Sequence, residues 1–351
     1  MDKKYFLGAN SCEGFVSSFG ESFDPNSGWK AYIIKGGPGT GKSSFMKFVA
    51  KKAQEKGCET VLCPCSSDPN SLDAVLLPHK KTVIMDGTSP HTVDPRYPAV
   101  CEEILNFGQF WKTDSFAKRE EIIRVTDDNK RLHQTASGYM RAIGQIMNDN
   151  LKIAAACTDK KKALRLSEGL CRKYIPKSHG KAFEWVRYLT SITPEGVVFL
   201  GADGVFTEDT VIIEDELGYG ANIILNRIRD YCLKNGYEII TVRNGFMPSI
   251  LIDGIVIPEL NLSFLRESSY TKINLPLRRI HYRRFTYASI LSRNRERLKF
   301  NKKAISTLLS AAAETLKEAK AVHDILEGYY ISAMNFDELN KFAKDFVEKI
   351  L

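Results

Sequence analysis

From Gly36 to Ser43 the chain reads Gly-Gly-Pro-Gly-Thr-Gly-Lys-Ser. Glycines at this density let consecutive backbone amides curl around an anion, and a lysine and a hydroxyl follow them directly. The elements on either side suit that chemistry. Ala31 to Lys35 is a short apolar run that predicts a buried strand, and Ser43 to Lys56 has helical spacing, with Phe45, Phe48 and Val49 on one face and Gly57 closing it. A helix starting at the loop adds free N–H groups and the positive end of its dipole. The segment therefore predicts a triphosphate cradle. In it Gly36, Gly37, Pro38, Gly39, Thr40, Gly41, Lys42, Ser43 and Ser44 surround the phosphates, Lys42 reaches the β- and γ-phosphates, and Ser43 ligates Mg²⁺.

Further along, Lys81 to Asp86 (KTVIMD) predicts a buried strand that delivers an acid to its carboxyl end, where ligands of open α/β sheets collect. Asp86 is the expected second Mg²⁺ ligand. Gly87 stands where many fast ATPases carry a glutamate. The polar segment after it holds His91, Asp94 and Arg96, which suit water orientation, acceptor binding or contact with the γ-phosphate. A structural alternative makes Asp94 and Pro95 the N-terminal cap of a helix running through Val100, Glu103, Ile104 and Phe107. Asn129-Lys130-Arg131-Leu132 lacks the aspartate of the N-K-x-D element of GTP-specific enzymes, which favours ATP.

The loop returns with its chemistry erased. Tyr32 to Val49 overlays Val211 to Ile228 without a gap, at an offset of 221 − 42 = 179, keeping Gly39/Gly218 and Gly41/Gly220. The register continues to Gly57/Gly236. After a one-residue insertion Asp73 to Pro78 matches Asp253 to Pro258, and upstream Glu13-Gly14 matches Glu195-Gly196. Lys42 becomes Ala221, Ser43 becomes Asn222, Gly36 and Gly37 become Asp215 and Glu216, and Asp86 becomes Arg266. Carboxylates are expected where phosphate oxygens would lie, and like charges at a few ångströms repel by about 1 to 4 kcal/mol. The second copy is expected to bind no triphosphate.

These features predict an internally duplicated α/β protein of the P-loop NTPase fold, with mostly parallel sheets flanked by helices and with helical insertions. The expected domains are residues 1–185, with the intact loop, and 186–351, with the degenerate one. A length of 351 residues suits two domains. Helical spacing predicts helices from Phe116 to Ile153, Arg293 to Glu318, Lys161 to Tyr174, Gly180 to Leu189 and Asp337 to Ile350.

No apolar run reaches the roughly 18 to 20 residues of a membrane span, and the N-terminus lacks a signal-peptide core, so the expected location is cytoplasmic with no membrane partner. Reduced thiols are then expected for the eight cysteines. Cys63-Pro64-Cys65 alone has a spacing that suits a metal or redox site. The formal net charge is +8, and Arg278, Arg279, Arg283, Arg284, Arg293, Arg295 and Arg297 crowd one stretch, interleaved with Tyr282, Phe285 and Tyr287. A solvated basic face, a nucleic-acid or polyanion surface, and an arginine reaching across to the intact loop all remain open for it.

On the 36–43 loop, the segment Asp86-Gly-Thr-Ser-Pro-His91-x-x-Asp94-Pro95 and the repeated Glu-Gly at 13 and 195, the chain resembles the uncharacterised bacterial tandem P-loop ATPases, nearly throughout its length. The resemblance implies a P-loop fold and ATP binding, without a known substrate. Three functions follow as expectations. The first is a Mg²⁺-dependent ATPase serving an unknown partner. The second is a kinase passing the γ-phosphoryl to a small acceptor, with Lys42, Asp86, His91 and Asp94 as the catalytic set in either enzyme. The third is a sensor that binds ATP without turnover.

Overall fold

The computed structural model describes residues 3–112, 118–201, 207 and 209–351; Phe116, the expected start of the first long helix, lies outside them. The first half contains β1 (Lys3–Lys4), a hairpin of β2 (Gly8–Ser11) and β3 (Gly14–Ser17), β4 (Lys30–Lys35), α1 (Lys42–Glu55), β5 (Val61–Pro64), β6 (Leu72–Leu77), β7 (Thr82–Asp86) and β8 (Glu102–Asn106). Two helices follow, α2 (Arg119–Cys157) and α3 (Lys160–Tyr174). The second half repeats the series: β9 (Phe183–Tyr188), a hairpin of β10 (Thr190–Thr193) and β11 (Gly196–Phe199), β12 (Asp209–Glu214), α4 (Tyr219–Lys234), β13 (Glu238–Arg243), β14 (Ile252–Ile257), β15 (Leu262–Glu267) and β16 (Arg278–His281). It ends in α5 (Ala288–Arg293), α6 (Arg295–Ile331) and α7 (Phe336–Ile350).

Two six-stranded sheets result, ordered β1-β5-β6-β7-β4-β8 and β9-β13-β14-β15-β12-β16. Each is parallel except at its third strand, β6 or β14, which runs antiparallel to both neighbours. The pairing is the same in both: Ile34 lies opposite Asp86, and Ile213 opposite Arg266. Repeated order and register make the α/β architecture compatible with the duplication expected from the sequence.

Strand alternation builds the layers. Ala31 and Ile33 point from β4 into a core shared with Ile212, Val242 and Leu265 of the second sheet, while Tyr32 and Ile34 point the other way, toward α1 and α7. Val211 and Ile213 similarly face α3 and α4. The two sheets thus lie back to back, with helices outside both. The long helices α2 and α6 run antiparallel, since Asn129 bonds to Ala319 and Arg297 to Asp149.

The outer helices are exchanged between halves. α3 follows the first sheet but packs on the second, where Tyr174 meets Phe264 at 6.2 Å. α7 closes the chain against the first sheet, its Phe346 ring 4.8 Å from Tyr32 and 5.2 Å from Phe45. The packing therefore does not follow a cut at 185/186, which falls inside β9.

Two expected helices are strands. Residues 100–107 hold the edge strand β8, in which Glu102 is buried and Ile104 exposed, so the apolar positions gave no true face. Residues 180–189 hold β9, paired parallel to β13. The other helices lie where expected, with α2 and α6 running past their expected ends.

Candidate functional site

The 36–41 loop leaves the carboxyl end of β4 and enters α1 directly. Gly39 (φ 66°) and Gly41 (φ 80°) adopt left-handed backbone that only glycine takes without strain. The Lys42 ammonium folds back onto the loop, donating to the carbonyls of Gly36 (3.0 Å) and Gly37 (2.8 Å). It stands 3.6 Å from Asp86 Oδ2. Thr40 Oγ1 donates to the Gly37 carbonyl, Ser43 Oγ accepts from the Leu72 N–H at 2.9 Å, and Ser44 is exposed in the first helical turn. Asp86 is fixed through its other oxygen, which accepts from the N–H (2.8 Å) and hydroxyl (2.5 Å) of Thr88. Lys42 and Asp86 thus meet at the start of α1, with Ser43 next in the chain and its hydroxyl turned to β6.

The residues after Asp86 part ways. His91 turns inward, stacked on Phe19 at 4.7 Å with Nε2 3.3 Å from Asp73 Oδ2. Burial alone would lower its pKa, but the Asp73 carboxylate, with a smaller contribution from Asp86, raises it overall. Asp94 turns outward and pairs with Lys35 at 2.8 Å, so it caps no helix. Lys35 also donates to the Gly87 carbonyl, and Arg96 donates to that of Gly20. His91, Asp94 and Arg96 line a cavity of about 330 Å³ with Ser17, Gly20 and Glu21.

Two residues, Asp73 and Glu327, were not singled out from the sequence. Asp73 gathers at His91 with Cys65 of the Cys-x-Cys pair, and its match to Asp253 in the repeat was the available signal. Glu327 lies far along the chain on α6, where nothing in the sequence links it to the loop. Its Oε1 accepts from the Gly39 N–H at 3.3 Å, and a Cβ on Gly39 would come within 2.7 Å of the Glu327 carbonyl. Trp111 and Tyr330 flank Gly37, and Leu339 of α7 covers Gly41. His323, one turn back, holds the Glu327 carboxyl below its ordinary pKa, and the Gly39 amide adds to this.

The equivalent loop of the second half contains its own ions. Asp215, the counterpart of Gly36, accepts from the N–H groups of Leu217 (3.2 Å), Gly218 (3.0 Å) and Ala221 (2.9 Å). Its carboxylate fills the amide nest from within. Arg266, the counterpart of Asp86, donates through Nε to Asp253 (2.7 Å) and through Nη1 to the Asp215 carbonyl (3.1 Å). Burial would lower the guanidinium pKa, but Asp253 and Asp215 raise it overall. Helix α4 winds in from Tyr219, and Gly220 survives beneath the Phe285 ring, where a Cβ would meet Cε2 at 2.3 Å. Asn222 Oδ1 still accepts from the Ile252 N–H, as Ser43 does from Leu72. The scaffold hydrogen bond persists although the lysine and acid are gone.

The basic segment divides. Arg279 pairs with Glu214 and Glu267, Arg297 with Asp149, and Arg278 lies over the Tyr174 ring. Arg283, Arg284, Arg293 and Arg295 are exposed. Among the described residues, the contacts that the second half makes with the 36–41 loop come from α6 and α7. No described helix is long and apolar enough to cross a membrane.

Comparison with protein-family models, curated proteins and solved structures finds no match to this chain.

Proposed function

We propose that the chain binds ATP and Mg²⁺ at one site, the 36–44 loop of a P-loop fold, and hydrolyses the nucleotide there for an unknown partner. The observation that carries this reading is the pairing of Lys42 with Asp86, 3.6 Å apart, at a strand–glycine loop–helix junction that Ser43 directly continues. On binding, Lys42 exchanges the carbonyls of Gly36 and Gly37 for phosphate oxygens. The loop amides and the α1 N-terminus hold the remaining oxygens. The Ser43 hydroxyl and Asp86 would hold Mg²⁺, which would supply positive charge against the charge developing in phosphoryl transfer. Glu327 competes for the Gly39 amide, so nucleotide entry displaces the end of α6.

A second reading, transfer of the γ-phosphoryl to a small acceptor, draws support from the cavity lined by His91, Asp94 and Arg96. Phosphate release from ATP and Mg²⁺ alone supports hydrolysis, whereas ADP formation that depends on one added metabolite supports transfer. Tight binding with neither leaves a nucleotide sensor. In all three Lys42→Ala is expected to abolish tight nucleotide binding, and undiminished binding would refute the site.

A further inference from the structure

Cys65 follows β5, Asp73 lies at the start of β6 and His91 follows β7. Because β6 runs antiparallel to its neighbours, its start and their ends meet at one sheet edge. One donor atom from each of the three residues lies within 4.8 Å of the other two. Asp73 and His91 are only 4% and 7% exposed. His91 Nδ1 is buried without a hydrogen-bond partner, and Asp73 Oδ2, likewise buried, has no well-formed hydrogen bond beyond the 3.3 Å approach of His91 Nε2.

The second half shows what this position requires. There the buried Asp253 accepts from the Arg266 guanidinium and, at 2.8 Å, from the Asn244 amide. Asn244 is the counterpart of Cys65 (244 − 65 = 179), and Arg266 that of Asp86. The first half replaces the amide with a thiol and the guanidinium with a second acid, yet keeps the buried carboxylate. A buried carboxylate needs a compensating partner, and in the first half the neighbours standing in for the guanidinium and amide are His91, with Nε2 3.3 Å away, and the Cys65 thiol.

We propose that Cys65, Asp73 and His91 bind one divalent metal ion of the zinc class, with the fourth position taken by water or another oxygen ligand. Nitrogen and oxygen ligands about 2.0–2.2 Å from a tetrahedral zinc ion lie about 3.3–3.5 Å apart, and His91 Nε2 and Asp73 Oδ2 are 3.3 Å apart. Sulfur with imidazole selects zinc over magnesium or calcium. Binding releases the Cys65 proton to solvent, and the thiolate and Asp73 then balance the metal's two charges. Cys63, the other member of the Cys-x-Cys pair, points into the apolar core instead.

The test is a titration of metal-stripped protein with cobalt(II), followed by zinc. The expected result is a near-ultraviolet thiolate-to-cobalt charge-transfer band that saturates at one equivalent and is displaced by zinc. Cys65→Ser should remove the band, and Asp73→Asn and His91→Ala should each weaken binding at least tenfold. Cys63→Ser and Lys42→Ala should keep it, so the outcome is independent of the nucleotide site. Absence of the band in folded wild type, or its persistence in Cys65→Ser, would overturn the proposal. The wild-type arm decides even where a variant fails to fold.

Discussion

The two glycine loops differ in where the helix begins, at Lys42 in one and at Tyr219 in the other, and above all in who supplies the ions. In the second half Asp215 occupies the amide nest and Arg266 lies beside it, so anion and cation are both built into the chain. In the first half glycine stands in place of the acid, Lys42 rests on loop carbonyls, and Asp86 replaces the arginine. A backbone nest favours negative charge whatever its source. The comparison teaches that losing a ligand site need not abolish the fold's electrostatic demand, because a covalently attached ion can meet it. The second loop has become structural by binding itself.

The largest expected effect follows from that self-binding. Arg266→Ala leaves Asp253 buried without its cation, and chemical denaturation should show a loss of about 3–5 kcal/mol. A change below about 1 kcal/mol would mean that the guanidinium does not hold the second half together. Next in size is Lys42→Ala, for which nucleotide affinity should fall about 100-fold or more, roughly 3 kcal/mol, with little change in stability. Asp215→Asn weakens three charge-assisted bonds and should cost about 1.5–3 kcal/mol of stability without creating a nucleotide site, since Ala221 supplies no lysine. The smallest effect is a gain. Glu327→Ala should tighten ATP binding roughly three- to tenfold, about 1 kcal/mol, by freeing the Gly39 amide; unchanged affinity would show that the α6 contact does not compete.

Much of this contrast was legible in the sequence because it rests on local chemistry. The strand before the loop, the helix after it and the placement of Asp86 follow from apolar runs and glycine positions, and the gapless overlay of Lys42 on Ala221 located the lost ligand. The overlay also made Arg266 the counterpart of Asp86, and the structure sets the two alike in their sheets, opposite Ile213 and Ile34. What stayed hidden is non-local. Periodicity gives α3 and α7 an apolar face but does not say which sheet it covers, so their exchange was invisible. β8 misled because Glu102, which accepts from the Tyr97 N–H, is buried with Leu105, while Ile104 faces out. β9 misled because Phe183, Val186 and Leu189 are spaced like one helical face, whereas pairing with β13 makes the segment a strand. His91 and Asp94 sit three residues apart in one polar segment, yet ring stacking on Phe19 draws one inward and Lys35 holds the other at the surface.

The asymmetry between the halves is tested most directly by calorimetric titration of ATP with Mg²⁺ into the full chain, wild type and Lys42→Ala. The expected result is one nucleotide per chain, lost in the variant while its fold persists. A stoichiometry of two, or equal binding by the variant, would contradict the assignment of the open site to the first half alone.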